Sequence, residues 1–275
     1  MKQWYMIIDV AKCNDCNNCF MACKDEHVGN TWPGYTGEQP RHGHRWLNIE
    51  RRERGQYPRI DVAYLPVMCQ HCENASCIEK GGGAVSRRND GLVMIDMDKA
   101  IGNRALVDAC PYGAIYWNEE LNVPQKCTMC AHLLDSDEWM PGLPRCVHTC
   151  PTGALVMQYL EPDERDRIIV SEGLEAYRSE LGTKPHILYK NLYRYIKNFI
   201  TAGILVDGDC FEDATVVLKN NGKAIAEQKS NCFGDFKFDN LDSGEYTVEI
   251  DVAGKKWSAS VAIGNESINL GYINV

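Results

Sequence analysis

The segment Cys13-Asn14-Asp15-Cys16-Asn17-Asn18-Cys19-Phe20-Met21-Ala22-Cys23 reads C-x2-C-x2-C-x3-C. Two-residue gaps let a tight loop aim three thiolates at three corners of one iron-sulfur cube. The fourth thiolate, on a helix expected from Cys19 to His27, faces away toward a second group. The chain has 14 Cys, and the others are grouped as well. Cys127 and Cys130 precede Cys146 and Cys150-Pro151, Cys69, Cys72 and Cys77 form a third set, and Cys110-Pro111 stands alone.

Alternatives to iron are weighed by spacing. Taken alone, Cys127, Cys130, Cys146 and Cys150 could form a zinc ribbon, since C-x2-C-x15-C-x3-C suits a tetrahedral ion. Beside the first run iron is favoured, because Cys23 needs a partner group and Cys150-Pro151 has the form of a ferredoxin run's end. No C-x-x-C is followed directly by His, so haem attachment fails. Disulfides would need an oxidising compartment, which the start of the chain, Met1 to Val10, does not suggest, lacking the regions of a signal peptide. A cytoplasmic location is expected, with export alongside a signal-bearing partner as the alternative.

On these groups the chain resembles the four-cluster ferredoxin-type subunits of molybdopterin oxidoreductases of the dimethyl-sulfoxide-reductase family. Their second and third motifs run C-x2-C-x4-C-x3-C and C-x2-C-x2-C-x3-C-P. Here the corresponding positions are Gly81 in the second motif and Ala100, Asn103 and Leu106 in the third. In that family paired motifs exchange fourth ligands, so these four positions together would have held one cluster. Its ligands are all gone, while every ligand of its neighbour remains. The resemblance then assigns three [4Fe-4S] clusters: Cys13, Cys16, Cys19 and Cys150 to one, Cys23, Cys127, Cys130 and Cys146 to a second, and Cys69, Cys72, Cys77 and Cys110 to a third. The lost site is expected at one end of the row, filled by side chains.

Short β-branched or aromatic stretches flank the cysteine loops, at Tyr5 to Val10, Leu92 to Asp96, Ala114 to Trp117 and Ala154 to Tyr159. The unit of strand, Cys loop, short helix and strand occurs twice, which resembles two ferredoxin-like α+β halves related by a pseudo-twofold. Between Lys24 and Met68 lies an insertion with six Arg from Arg41 to Arg59, read as a partner-facing loop rather than a merely solvated one. Residues 163 to 200 hold a charged helical stretch and then Gly182-Thr183-Lys184-Pro185-His186 with Tyr189, Tyr193 and Tyr195, which resembles the family's closing segment; the tyrosines are read as packing.

The last 75 residues contain none of the 14 Arg or 7 His, which sets a compositional border near residue 200 between an iron-sulfur domain, 1–200, and a second domain, 201–275. The second alternates apolar and polar residues in bursts, such as Ala214 to Leu218, Phe233 to Phe238 and Tyr246 to Val252, separated by turns at Asn220-Asn221-Gly222 and Asp242-Ser243-Gly244. That pattern predicts an antiparallel sandwich or barrel and looks like a transthyretin-like or Cna-B-like module. Cys210 and Cys232, in no motif, are read as ordinary semi-buried residues.

A net charge of −9 without a basic tail excludes a nucleic-acid binder, and no stretch of 18 apolar residues offers a membrane span. Closed four-cysteine sites pass electrons but cannot bind substrate, so a wire is favoured over a dehydratase, which needs an iron with three protein ligands. Clusters with a purely structural role remain the third possibility. Within the family, Lys24 to Asn30, Trp32 to Tyr35, Gln39 to Arg45 and the appended β domain resemble a branch that transfers hydroxyl groups between trihydroxybenzenes. This resemblance implies a non-catalytic subunit of a heterodimer or larger assembly, whose large partner carries molybdenum bis-molybdopterin guanine dinucleotide and the active site. The alternative is the electron-transfer subunit of a respiratory molybdopterin reductase or dehydrogenase.

Overall fold

Strand β1 (Gln3–Asp9) buries Tyr5, Met6, Ile7 and Ile8 in succession, so both of its faces are covered, as in a central strand. The computed structural model describes residues 1–275 and divides into two compact units: Met1–Glu50 with Tyr64–Leu192, and Arg51–Ala63 with Tyr193–Val275. After β1 come α1 (Asn18–His27) and the hairpin β2 (Leu47–Gln56) and β3 (Arg59–Met68), whose ends belong to the first unit and whose tip belongs to the second. The first unit continues with α2 (Ser76–Lys80), hairpin β4 (Val85–Arg87) and β5 (Val93–Ile95), α3 (Ala105–Asp108), and hairpin β6 (Ile115–Asn118) and β7 (Val123–Lys126). It closes with α4 (Ala131–Leu134), α5 (Arg145–His148), β8 (Leu155–Leu160), α6 (Pro162–Glu172) and β9 (Ile187–Lys190).

Strand β1 pairs antiparallel with β8, Tyr5 opposite Gln158, and parallel with β9, Met6 opposite Ile187. Tyr5, Ile7 and Leu188 pack with Ile168 and Ile169 of α6. That helix carries its own boundaries: Glu161 and Glu164 form a capping box, Pro162 opens the first turn, and Gly173 ends it in the left-handed region at φ 61°. Helices α2 to α5 have four or five residues each, far below the length that holds in isolation, so tertiary contacts must hold them. Accordingly α1 packs on α5 and α2 on α3.

The second unit begins after the hairpin tip with α7 (Tyr193–Ile196) and β10 (Asn198–Val206), followed by β11 (Asp209–Cys210), β12 (Thr215–Asn220), β13 (Lys223–Lys229), β14 (Asp235–Leu241), β15 (Gly244–Val252), β16 (Lys255–Ile263) and β17 (Ile268–Asn274). One sheet runs β11-β10-β14, with β17 parallel to β10, and the other β13-β12-β15-β16. Ile200, Ala202, Ile204, Phe236 and Phe238 of the first sheet share a core with Val216, Leu218, Val248 and Ile250 of the second, a two-sheet sandwich. The compositional border near residue 200 falls inside β10, because a strand's apolar face ignores where Arg and His stop.

The insertion 24–68 is only partly loop, since β2 and β3 occupy its second half. Its arginines are not all surface groups. Arg54 is wholly buried and bridges Asp61 at 2.6 Å and Asp239 at 2.8 Å, with its guanidinium 5.2 Å from the ring of Phe199. A buried guanidinium requires such pairing, because leaving either charge alone in the interior costs about 3–5 kcal/mol. Burial pushes the Asp61 carboxyl up, but hydrogen bonds and charge from Lys237 and Arg54 outweigh it and hold it at about 2.

Candidate metal centres

The C-x2-C pair that opens each cysteine group places the residue before its second cysteine in the left-handed region: Asp15 at φ 59°, His71 at φ 46° and Met129 at φ 58°. Non-glycine residues rarely go there, so three occurrences at one motif position mark a common loop shape. Both Cys-Pro-x-Gly ends turn alike, with Gly113 and Gly153 at φ 62°.

These loops gather the cysteines into sets. Cys23, Cys127, Cys130 and Cys146 line one apolar cavity together with His27, Trp46, Leu47, Met129 and Pro144. Cys69, Cys72, Cys77 and Cys110 line another with Val93, Ile115, Tyr112, Lys126 and Thr183. Cys13, Cys16 and Cys150 act electrostatically on Cys19, which brings the third set together. No three His, Cys, Asp or Glu lie close enough for a single metal ion, whereas a cube spreads its four thiolates over four irons.

The sets stand in a row. Cys19 and Cys23 sit one turn apart on α1, separated by roughly 6 Å of helix rise rather than by opposite faces. Cys19 acts on both Cys23 and Cys146, and Cys69 acts on Cys127. The order is therefore the Cys13 set, the Cys23 set and the Cys69 set.

As bare thiols, several of these groups resist ionisation. Burial, then neighbouring thiolates, pushes Cys72 up to about 12 and Cys77 up to about 11. Burial likewise raises Cys130 to about 12 and Cys127 to about 11. Cys23 and Cys146 go well above the usual thiol range, again by burial and then by neighbouring thiolates. Four thiolates in one apolar cavity need cationic metal to stay charged, so the donor sets fit iron-sulfur cubes. Cys150 behaves differently: burial raises it, but the Leu155, Ala154 and Thr152 donors outweigh burial and lower it. Further donors reach Cys127 Sγ from Met129 N at 3.3 Å and Cys110 Sγ from Ala114 N at 3.4 Å.

Beyond the Cys69 set lies the region of Gly81, Ala100, Asn103 and Leu106. Ala100 and Leu106 are fully buried in a core with Val85, Val93, Ile95 and Ile115, and Cys72, Cys77 and Cys110 pack against it. A Cβ at Gly81 would lie 2.7 Å from the Cys77 carbonyl oxygen and 2.8 Å from Val85 Cγ2. Side chains fill this space, and the neighbouring thiols belong to one end set alone. Gly102, before Asn103, keeps the left-handed turn at φ 73°.

A family model, the 4Fe-4S dicluster domain, matches residues 60–160. The pyrogallol hydroxytransferase small subunit of Pelobacter acidigallici is 60% identical, with 100% of each chain covered. The chain belongs to this family of small subunits. The iron-sulfur subunit 1 of the Hdr-like menaquinol oxidoreductase of Archaeoglobus fulgidus is 30% identical over 70% of this chain and 84% of that one. The electron transfer subunit of thiosulfate reductase from Salmonella typhi is 33% identical over 65% and 86%. The chain is a non-catalytic iron-sulfur subunit of an enzyme complex, and no helix in it is long and apolar enough to cross a membrane.

Several residues around the sets carry no motif. Lys126 of this small subunit is buried, donates to the carbonyls of Val93 and Cys127, and acts as a positive charge on Cys77, Cys110 and Cys127. Its only sequence signal is its place beside Cys127. His27, 1% exposed, is held down to about 3 by burial and then by His132, so its ring is neutral. Trp32 stacks on His132 with ring centroids 4.1 Å apart, and His132 Nε2 donates to Glu26 Oε1 at 2.9 Å. Cys210 and Cys232 are both exposed, not semi-buried, since each lies at a strand edge or turn of the second unit.

Proposed function

We propose that this chain carries three [4Fe-4S] clusters as an electron-transfer subunit, and that its large molybdopterin-binding partner converts pyrogallol to phloroglucinol. The ligands would be Cys13, Cys16, Cys19 and Cys150; Cys23, Cys127, Cys130 and Cys146; and Cys69, Cys72, Cys77 and Cys110. The observation that carries the reading is the filled fourth site beyond the Cys69 set, together with the row of the other three. Such a row has no fourth cluster to carry electrons past the Cys69 set. That suits a partner whose net reaction neither consumes nor yields electrons, and it suits a respiratory reductase poorly, because a reductase must pass electrons on.

When bound, each cluster supplies one-electron redox chemistry. The chain's own residues hold it: thiolates fix the irons, backbone N–H groups reach the thiolates of Cys110, Cys127 and Cys150, and Lys126 offsets negative charge between two sets. The paired packing of α1 on α5 and α2 on α3, with matching turns at Gly113 and Gly153, supports two ferredoxin-like halves related by a pseudo-twofold. We read the sandwich as a transthyretin-like or Cna-B-like domain and place the domain border near residue 200, with the β2–β3 tip added to the second domain. A cytoplasmic location suits twelve cysteines kept as thiolates.

Anaerobic purification of the complex tests this reading. The expected result is about 12 iron and about 12 sulfide per small subunit, four of each per cube, with a molybdopterin subunit co-purifying. Roughly 16 iron per small subunit would overturn the count, and a membrane quinol-reacting partner would favour the respiratory alternative.

A further inference from the structure

Trp46 and His27 also line the cavity of Cys23, Cys127, Cys130 and Cys146, and each has a buried polar atom that finds no partner in the protein. Trp46 is 1% exposed, and its Nε1 is buried without an acceptor. His27 is equally buried, and its Nδ1 is also unpartnered. An indole nitrogen is a donor only, and a neutral imidazole carries one N–H. Folded proteins rarely leave a buried N–H unpaired, because its lost hydration has no replacement. Apart from the His27 ring itself, the side-chain acceptors among the lining residues are sulfurs.

Resting on the cluster placement proposed above, we infer that Trp46 and His27 donate hydrogen bonds to sulfur of the middle cluster and raise its reduction potential. The reduced cube carries one more negative charge than the oxidised one, and a donor to a more negative acceptor binds more strongly. The bonds therefore favour the reduced form. The Cys69 cavity is built differently. The Thr183 hydroxyl there shares a 2.7 Å hydrogen bond with Tyr112 and hydrogen-bonds the Cys72 thiol, Lys126 is paired with the Val93 and Cys127 carbonyls, and the unpartnered buried atom is Gln70 Oε1, an acceptor that offers sulfur nothing. The two side-chain N–H groups thus act on the middle of the row, where a raised potential holds an electron between the two ends.

Trp46→Phe removes the N–H and keeps a ring, and His27→Leu removes the second donor. Both variants are assayed in the intact complex by iron analysis and by redox titration followed by electron paramagnetic resonance. With full iron content, one cluster signal moves to lower potential in each variant and further in the double variant, while the other two hold their midpoints. Unmoved midpoints, or an equal shift of all three, overturn the inference without touching the cluster placement. If Trp46→Phe sheds iron, wild-type complex carrying 15N-indole tryptophan decides. A nitrogen coupling and a deuterium-exchangeable proton on one reduced cluster support the bond, and the absence of both refutes it. The placement itself is read separately: Cys23→Ala that keeps its full iron and all signals sinks the placement instead.

Discussion

Residues Cys13–Cys23 and Ala100–Cys110 share one spacing, and the molecule treats them in opposite ways. The first presents thiols at all four positions, and the second presents only Cys110. Both loops nevertheless make a left-handed turn before their second motif position, at Asp15 with φ 59° and at Gly102 with φ 73°. The cysteine loop runs into a helix of 10 residues, whereas the other runs into one of 4, and its interior is Ala100 and Leu106, both 0% exposed. The left-handed turn thus recurs in a loop where three of the four motif positions carry no thiol. A cube and a small apolar core are alternative ways to fill the same turn, and Val85 occupies room that a fourth thiolate at Gly81 would need.

The strongest way to break that comparison is to truncate one motif position of each kind. Cys146→Ala is expected to lose roughly four iron per chain and to expose amides of the first unit to exchange, while the sandwich strands keep their protection. Asn103→Ala should leave the iron unchanged. Iron analysis and hydrogen exchange check both, and iron loss from Asn103→Ala would show that the third motif still binds metal.

Leu106→Ala is expected to cost about 2–5 kcal/mol, the range for emptying a buried leucine site. Local hydrogen exchange around β4, β5 and β6 reads the loss. A cost well under about 1 kcal/mol would mean that the region is loosely packed rather than filled.

Placing thiols at the motif positions that lack them sharpens the comparison from the other side. Gly81→Cys combined with Ala100→Cys, Asn103→Cys and Leu106→Cys is expected to gain no iron. Gly81→Cys alone should destabilise by about 1–3 kcal/mol through overpacking. A gain of about four iron per chain would show that the core opens readily, and that only the thiols were missing.

The smallest effect is expected at the turn. Gly102→Ala should cost about 1 kcal/mol, because an L side chain is strained in the left-handed region. Thermal denaturation of the complex resolves it, and no change would place the turn under less constraint than its φ implies.

The metal-bearing part of the fold is legible in the sequence because its information is local. Two-residue gaps, the Cys-Pro-x-Gly ends and the positions Gly81, Ala100, Asn103 and Leu106 can be read within short windows, as can the alternation of β12, β14, β15 and β16. Strand β10 cannot: Phe199 to Ile204 is a buried run without alternation, which periodicity does not separate from a helix or a linker.

Loop spacing and strand alternation are written within a few residues, so the candidate cluster ligands, the motif positions that carry no thiol and the β sandwich that follows can all be read from the sequence. Only the tertiary structure decided the order of the cysteine sets, the burial of Trp46 and His27 in the wall of the middle one, the exposure of Cys210 and Cys232, and the pairing of Arg54 with Asp239. That last pair lies 185 residues apart in the chain. A charged residue reads as surface until the fold brings it a partner, and nothing near Arg54 in sequence says which acid from the sandwich will meet it.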